Sequence, residues 1–568
     1  MQQEKTVESK KCFHCQENFK ITDWDLGFYE KISPVFAGVK YDIPTPKLCY
    51  RCREQRRLSF RNERNLYKSK CELTGKEIIS IYFPKSGYIA YDETEWHSDK
   101  WSPLDYGRDF DFSRDFFSQF GELLKEVPRI PLSVVFNENS PYVNQCWNIK
   151  DSYLSINCGF GENLLYSEVA YHSKNIVNCY SVDSLEFCYE CIDCQKSYLL
   201  FNSQNCSNCS NSRFLHNCTG CIDCFCCINL SNKRYCIFNE QYSKEEYMEK
   251  LSDLTDLKHV KNAFENLKLK HPQKNLHISG SENVLGDYIV DSKNCNQCYD
   301  VFSTSDSKYS FNIDSNLKNG MDLSYCAEGE LIYEAISVAG YNNLFCHLVI
   351  GSNNHYCNLC LNNSSNCFGC VGLKDNSSYC ILNKQYTREE YETLVPKIIE
   401  HMKTTGEWGE FFPSSISPFG YNETVAMEYY PISSRDAINR IATDGKPIFK
   451  WSTYENPKPD VTKIIPASKL PENIKDIPDD ITNWAIECEV TQKPFRIIKQ
   501  ELEFYRKHDL PIPRRHPDQR HLDRMKLRNP RKLYDRNCDR CNKEIKTTFS
   551  PERPEIVYCE DCYNKEII

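Results

Sequence analysis

The sequence predicts a mainly β protein with minor α, in which a central two-block β-solenoid is flanked at both ends by tandem zinc-ribbon modules. Three observations lead there: paired Cys-x2-Cys knuckles near each terminus, a middle built from short β-type phrases that end in Asn-Cys, and two internal duplications. With 568 residues the chain is too long for one compact domain, and 40% hydrophobic with 13% aromatic residues excludes a disordered composition. Cysteine, at 33 residues, is the feature that most needs explaining.

The first 15 residues carry no apolar core of a leader sequence, and no stretch approaches about 18 uncharged apolar residues, so the expectation is a cytoplasmic protein without a membrane partner. In a reducing compartment, Cys-x2-Cys pairs read as metal ligands or buried thiols rather than a disulfide framework. The expected organisation is a tandem ribbon module over 1–95, an aromatic and acidic connector over 96–139, a cysteine-rich solenoid block with a terminal helix over 140–270, a second such block over 271–403, a Pro-containing linker over 404–485, and a tandem ribbon module over 486–568.

At the ends, Cys12-x2-Cys15 pairs with Cys49-x2-Cys52, and Cys538-x2-Cys541 pairs with Cys559-x2-Cys562. Four thiolates on two tight turns satisfy a tetrahedral Zn²⁺ and leave no open position, which marks structural rather than catalytic sites. Residues 43–95 align without a gap on 510–562, with 17 identities in 53 positions. In that alignment Cys538, Cys541, Cys559 and Cys562 fall opposite Cys71, Thr74, Asp92 and Glu95, while Cys49 and Cys52 fall opposite His516 and Gln519. Outside that alignment, Cys12-x2-Cys15 resembles Cys488-x2-Thr491, each followed four residues later by Phe19 or Phe495. Each end therefore reads as two consecutive ribbons, the first intact at the N-terminus and the second intact at the C-terminus. Two zincs per chain are expected, with mixed-ligand sites at Cys71, Asp92 and Glu95, or at Cys488 and His516, as the alternative.

Between the ribbons of each pair runs an arginine stripe. Arg53, Arg57, Arg61 and Arg64 share one face if the segment is helical, and Arg520, Arg524, Arg528 and Arg531 repeat the spacing. Residues 47–76 and 504–541 each carry net +7, so their combined +14 leaves −23 for the rest of a chain that totals −9. Two uses are open. The stripes grip phosphate of a nucleic acid, or they pair with the acidic remainder and dock the end modules onto the middle.

The middle repeats phrases such as 152–158 (SYLSINC), 173–179 (SKNIVNC) and 212–218 (SRFLHNC), which fit a stack of short strands. Residues 235–247 return as 379–391 with 9 of 13 positions identical, and each copy ends in a capping box, Ser243 with Glu246 and Thr387 with Glu390. Cysteines spaced by three, as in Cys188-x2-Cys191-x2-Cys194 and Cys218-x2-Cys221-x2-Cys224, can form an interior thiol ladder, hold additional zinc or another soft metal, or serve redox chemistry. Catalysis leaves no signature: the chain has no phosphate loop, no Gly-x-Ser-x-Gly elbow, no His-Glu-x-x-His and no ferredoxin-type cysteine run.

The ribbon knuckles, the segment 48–64 (LCYRCREQRRLSFRNER), residues 101–113, the Asn-Cys phrases and 552–562 (ERPEIVYCEDC) together resemble the large cysteine-rich zinc-ribbon proteins frequent in ultrasmall, reduced-genome bacteria. The resemblance implies zinc binding and a cytoplasmic bacterial setting, and no particular reaction. The expected function is a zinc-binding, non-enzymatic scaffold whose basic ends contact nucleic acid. The alternatives are a protein-protein assembly platform and a thiol redox or metal storage protein.

Overall fold

The protein is described by a computed structural model over residues 4–254, 256–442, 445, 447–457 and 459–567. Strands make up 34% and helices 24%. The chain divides into two compact units, one comprising Met1–Pro131, Leu276–Thr453 and Arg531–Leu533, the other Leu132–Asn275, Tyr454–Pro530 and Tyr534–Ile568. The N-terminal ribbon module therefore folds with the second part of the cysteine-rich middle, and most of the C-terminal module folds with the first part.

In the unit that holds Leu132–Asn275, an 11-stranded sheet runs from Val134–Val135 to Glu240–Gln241 and forms a small parallel barrel. Glu168, Tyr180, Ile192, Gln204 and His216 stand in one row, each paired in parallel with the residue 12 positions on. The backbone rule behind this register is simple. From Gln145 to Phe238 every third residue has φ near +50°, with Gly220 filling one of these positions. The residue after most of these turns points inward, as Cys146, Ile149, Cys158, Leu164, Cys179 and Cys194 do, all 0–1% exposed, whereas Lys233 near the end of the stack is exposed.

This explains the Asn-Cys phrases. A left-handed conformation costs a non-glycine residue about 1–2 kcal/mol, and asparagine tolerates it best because its short amide can bond locally. Asn157, Asn178, Asn205, Asn208 and Asn217 occupy those turns, and their amides also bond along the stack, as Asn205 Nδ2 does to Asn217 Oδ1 at 3.1 Å. Cysteine or serine then supplies a small inward side chain. The Ser167, Ser197, Ser203 and Ser212 hydroxyls each accept a backbone N–H from the residue 12 positions on, at 3.0–3.1 Å. The thiols instead donate to backbone carbonyls, as Cys218 Sγ does to His216 O at 3.4 Å.

The other unit repeats the plan less regularly in a nine-stranded parallel sheet from Ile278–Ser279 to Asn358–Ser365. Its register is 12 at Leu317/Gly329, 11 at Val338/Val349 and 13 at Phe368/Ile381. Both expected capping boxes form, at Ser243 with Glu246 and at Thr387 with Glu390.

Three segments depart from expectation. The terminal helix expected to close the first block is two helices, Lys244–Asp253 and Leu257–Lys270. The stretch 404–485, read as a linker from its prolines, is packed: Phe411, Phe412, Tyr421 and Val425 join the core of one unit, and Leu470, Ile474, Ile477 and Ile481 join that of the other. The connector 96–139 contributes core as well, since Trp96, Phe116, Phe120 and Leu123 are fully buried and the helix Phe116–Glu126 presents one apolar face. In both stretches aromatic and branched apolar side chains find a cover that proline count and acidity do not reveal.

Candidate metal centres

Two sets of four sulfurs converge. The ligand atoms of Cys12, Cys15, Cys49 and Cys52 lie within 4.8 Å of one another, as do those of Cys538, Cys541, Cys559 and Cys562. Cys15 Sγ lies 3.7 Å from Cys49 Sγ, and Cys541 Sγ 3.8 Å from Cys559 Sγ. Zinc bound by thiolates at about 2.3 Å in a tetrahedron requires sulfurs about 3.8 Å apart, so both sets fit the ion, whereas a disulfide needs about 2.05 Å. Both sets could hold zinc, and all 33 cysteines are free of disulfides.

The knuckle that positions these sulfurs has one backbone design, and it occurs four times. Cys12, Cys71, Cys488 and Cys538 each donate their N–H to the carbonyl five residues on, at 2.8–3.1 Å, and each accepts at its carbonyl the N–H four residues on, at 2.8–3.0 Å. The fifth residue is left-handed every time: Gln16, Gly75, Gln492 and Asn542 have φ between 58° and 73°. Each leading sulfur also receives a backbone N–H from the residue that opens the partner helix, Cys49 at 3.3 Å, Asp92 at 3.2 Å and Cys559 at 3.2 Å, with His516 doing the same for Cys488. Burial opposes ionising Cys538, but backbone N–H bonds from Cys541, Cys559 and Arg540 outweigh it and bring the thiol down to about 6.

The two degenerate ribbons therefore keep the scaffold and lose the ligands. Asp92 is paired with Lys76 at 3.1 Å and Glu95 with Lys100 at 2.7 Å, while His516 Nδ1 accepts the N–H of Asp518 at 3.2 Å as a helix cap. Among the described residues neither Cys71, Asp92 and Glu95 nor Cys488 and His516 gather as a ligand group of three.

Only the first two arginines of each stripe are helical, Arg53 and Arg57 in Tyr50–Leu58 and Arg520 and Arg524 in Pro517–Met525, while Arg61, Arg64, Arg528 and Arg531 lie beyond the helix ends, and the outward basic face expected of the stripes is absent. Arg53, Arg57 and Arg61 are 0–3% exposed, Arg520 and Arg524 are 6% and 1%, the Arg528 and Arg531 side chains are each 8% exposed, and Arg64 is half-buried. The reason is carboxylate complementarity inside each unit. Arg53 reaches Asp322 at 2.7 Å, Arg56 reaches Glu334 at 3.1 Å and Glu410 at 2.8 Å, and Arg57 lies 3.6 Å from Asp322 and 3.4 Å from Glu334. Arg61 bonds Glu63 and Ser337 and covers the Tyr325 ring at 3.8 Å. Three guanidiniums thus face Asp322, Glu334 and Glu410 in one cluster, at whose rim Glu410 also meets Lys47 at 3.9 Å.

Burial would push the Glu334 carboxyl up, yet Arg56, Arg57 and Arg53 outweigh it and hold it below its ordinary value. For Asp322 burial wins, and beside Glu334 it stays above its ordinary value. In the other unit Arg520 meets Glu501 at 3.0 Å and covers Tyr166 at 4.3 Å, Arg524 donates to Tyr166 O at 3.1 Å, and Arg528 meets Asp193 at 3.0 Å. Arg531 folds with the first unit, where it joins Asp300 at 3.4 Å and stacks between Phe311 and Tyr429, at 3.9 and 4.1 Å. Asp322, Glu334, Glu410, Glu501 and Asp193 carry no sequence signal as partners, because only the folded register brings them to the stripes.

No family model matches the chain, and no curated protein matches it. Among the described residues no helix is long and apolar enough to cross a membrane.

Proposed function

We propose that the protein is a non-enzymatic, zinc-stapled scaffold, in which two β-solenoid blocks are each braced by a tandem ribbon module, and that it works by contacting other proteins rather than nucleic acid. The observation that carries this reading is the fate of the arginine stripes. Guanidiniums already closed onto Asp322, Glu334, Glu501 and Asp193 have no free face for phosphate. They act as docking groups of the ribbon modules, and the nucleic-acid reading loses the residues it rested on. The solenoid reading draws support from the 12-residue register and from the left-handed turn at every third residue. The zinc reading draws support from the sulfur spacing.

Two measurements test the proposal. Labelled single-stranded RNA and duplex DNA are titrated with the full chain between about 50 and 200 mM salt, where six or more phosphate contacts make affinity fall by about 10³ or more. The scaffold reading expects no such salt-steep binding, and its appearance overturns it. In parallel, Cys49→Ser and Cys559→Ser should each remove one zinc per chain and raise hydrogen exchange in the unit that holds the altered ribbon. Unchanged zinc content would sink the stapling role.

A further inference from the structure

Both barrels carry runs of inward thiols that continue into their closing turns; in the first barrel Cys188, Cys191, Cys194, Cys206 and Cys209 precede them. In one unit four successive inward positions, Cys218, Cys221, Cys224 and Cys227, are all cysteine and all 0% exposed, and Cys236 stands in register beside Cys224 on the next strand. Earlier turns of the same barrel place Ser197, Ser203, Ser212, Leu200 and Leu215 inward, so thiols are not a requirement of the packing.

The second barrel keeps the same set. Cys218, Cys224 and Cys227 donate to carbonyls nine residues on, those of Cys227, Lys233 and Cys236. Cys360, Cys367 and Cys370 donate ten residues on, to Cys370, Ser377 and Cys380. Counted back from the duplicated phrase, Cys218 thus corresponds to Cys360, Cys224 to Cys367, Cys227 to Cys370 and Cys236 to Cys380. At the fifth place Cys221 corresponds to Ser364, so the duplication has tolerated serine there while holding thiols at four others.

We propose that the thiol-lined closing turns of each barrel bind a soft, thiophilic monovalent cation of the copper(I) class. The geometry favours this class over zinc. Among the described residues no three interior sulfurs lie within 4.8 Å of one another, so the tetrahedral clustering of the ribbon sites is absent. Neighbouring parallel strands stand about 4.8 Å apart, a spacing that lets a two-coordinate ion bridge two sulfurs of adjacent turns. Charge points the same way. A monovalent ion held by one thiolate and one neutral thiol displaces a single proton, RSH + R′SH + M⁺ giving RS–M–S(H)R′ + H⁺, and leaves the interior uncharged. A divalent ion must displace two to do so.

The test uses the full chain, purified with zinc and incubated anaerobically with copper(I) supplied as its acetonitrile complex. Expected are at least two copper(I) per chain, one proton released for each, and both zincs retained. Replacing Cys218, Cys224 and Cys227 with serine, the residue that nearby inward positions already use, should remove one copper. Replacing Cys360, Cys367 and Cys370 should remove the other, with zinc content unchanged in both variants. Should a variant fail to fold, copper-edge X-ray absorption of the unaltered protein decides: a sulfur-only, two-coordinate shell with zinc retained supports the site. Copper taken up only as zinc leaves the ribbons, or uptake unchanged in folded serine variants, overturns the proposal.

Discussion

Arg53 and Asp322 meet through two guanidinium nitrogens on one carboxylate oxygen, Nε at 2.8 Å and Nη2 at 2.7 Å, with both side chains out of solvent. Glu334 lies one register step beyond Asp322, because Met321 pairs with Tyr333 on the adjacent strand, and it takes up Arg56 and Arg57. The pair therefore locks the N-terminal ribbon module onto its barrel. Removing one partner strands a buried charge, at about 3–5 kcal/mol. Asp322→Ala should destabilise that unit by this amount in urea unfolding, whereas Arg53→Met with Asp322→Leu should recover most of the loss. A double variant no more stable than Asp322→Ala would show that the ion pair has a role beyond charge compensation.

How much of this was legible follows from how local each signal is. The two converging cysteine quartets were legible because a knuckle is complete within a few residues, and the repeat that aligns Cys71 with Cys538 pointed to the related chain path that the backbone bonds of all four knuckles display. The inward thiols were legible through their three-residue spacing. Burial of the arginine stripes was left open, because Asp322 and Glu334 lie 269 and 278 residues from Arg53 and Arg56 along the chain, and spacing on a helix does not say what covers its face. Leu154, Phe160 and Val169 take left-handed turns against their own preference, with φ of 46°, 54° and 52°. The stack's register overrides local propensity at those points, so residue type alone could not place them.

His355 supplies a pH dependence. It is 2% exposed, edge-on to Phe36 at 5.9 Å, and burial brings its pKa down to about 4. An unfolded histidine titrates near 6.5, so the unfolded chain binds the proton first. The contribution is present in full above about pH 6.5 and is lost as pH falls toward 4. Over that window the loss is on the order of 3 kcal/mol. His355→Leu should flatten the change in urea midpoint between about pH 6.5 and 4.5. An unaltered slope would assign the acid sensitivity of this unit to other groups, His347 first among them, since burial and the nearby Arg129 and Arg61 also hold it low.

The degenerate ribbon at Cys71 offers the most direct test of the four-knuckle reading. Its backbone already carries what a zinc site needs: Cys71 N bonded to Lys76 O and Gly75 N to Cys71 O, each at 2.8 Å, and Asp92 N directed at Cys71 Sγ at 3.2 Å. These bonds match those of Cys538 with Lys543, Asn542 and Cys559 at 2.8, 2.9 and 3.2 Å. The missing part is three thiolates, whose places are held by Thr74, Asp92 and Glu95. Lys76 and Lys100, which now pair with the two acids, are exposed and can turn to water without a desolvation penalty. Thr74→Cys, Asp92→Cys and Glu95→Cys together should therefore raise bound zinc by one per chain over the unaltered protein by elemental mass spectrometry, and should raise the thermal midpoint of the unit that contains the ribbon. A folded triple variant that gains no zinc would mean that the shared backbone bonds do not bring positions 74, 92 and 95 within reach of one ion, and the correspondence between the two ends would then be one of chain path alone.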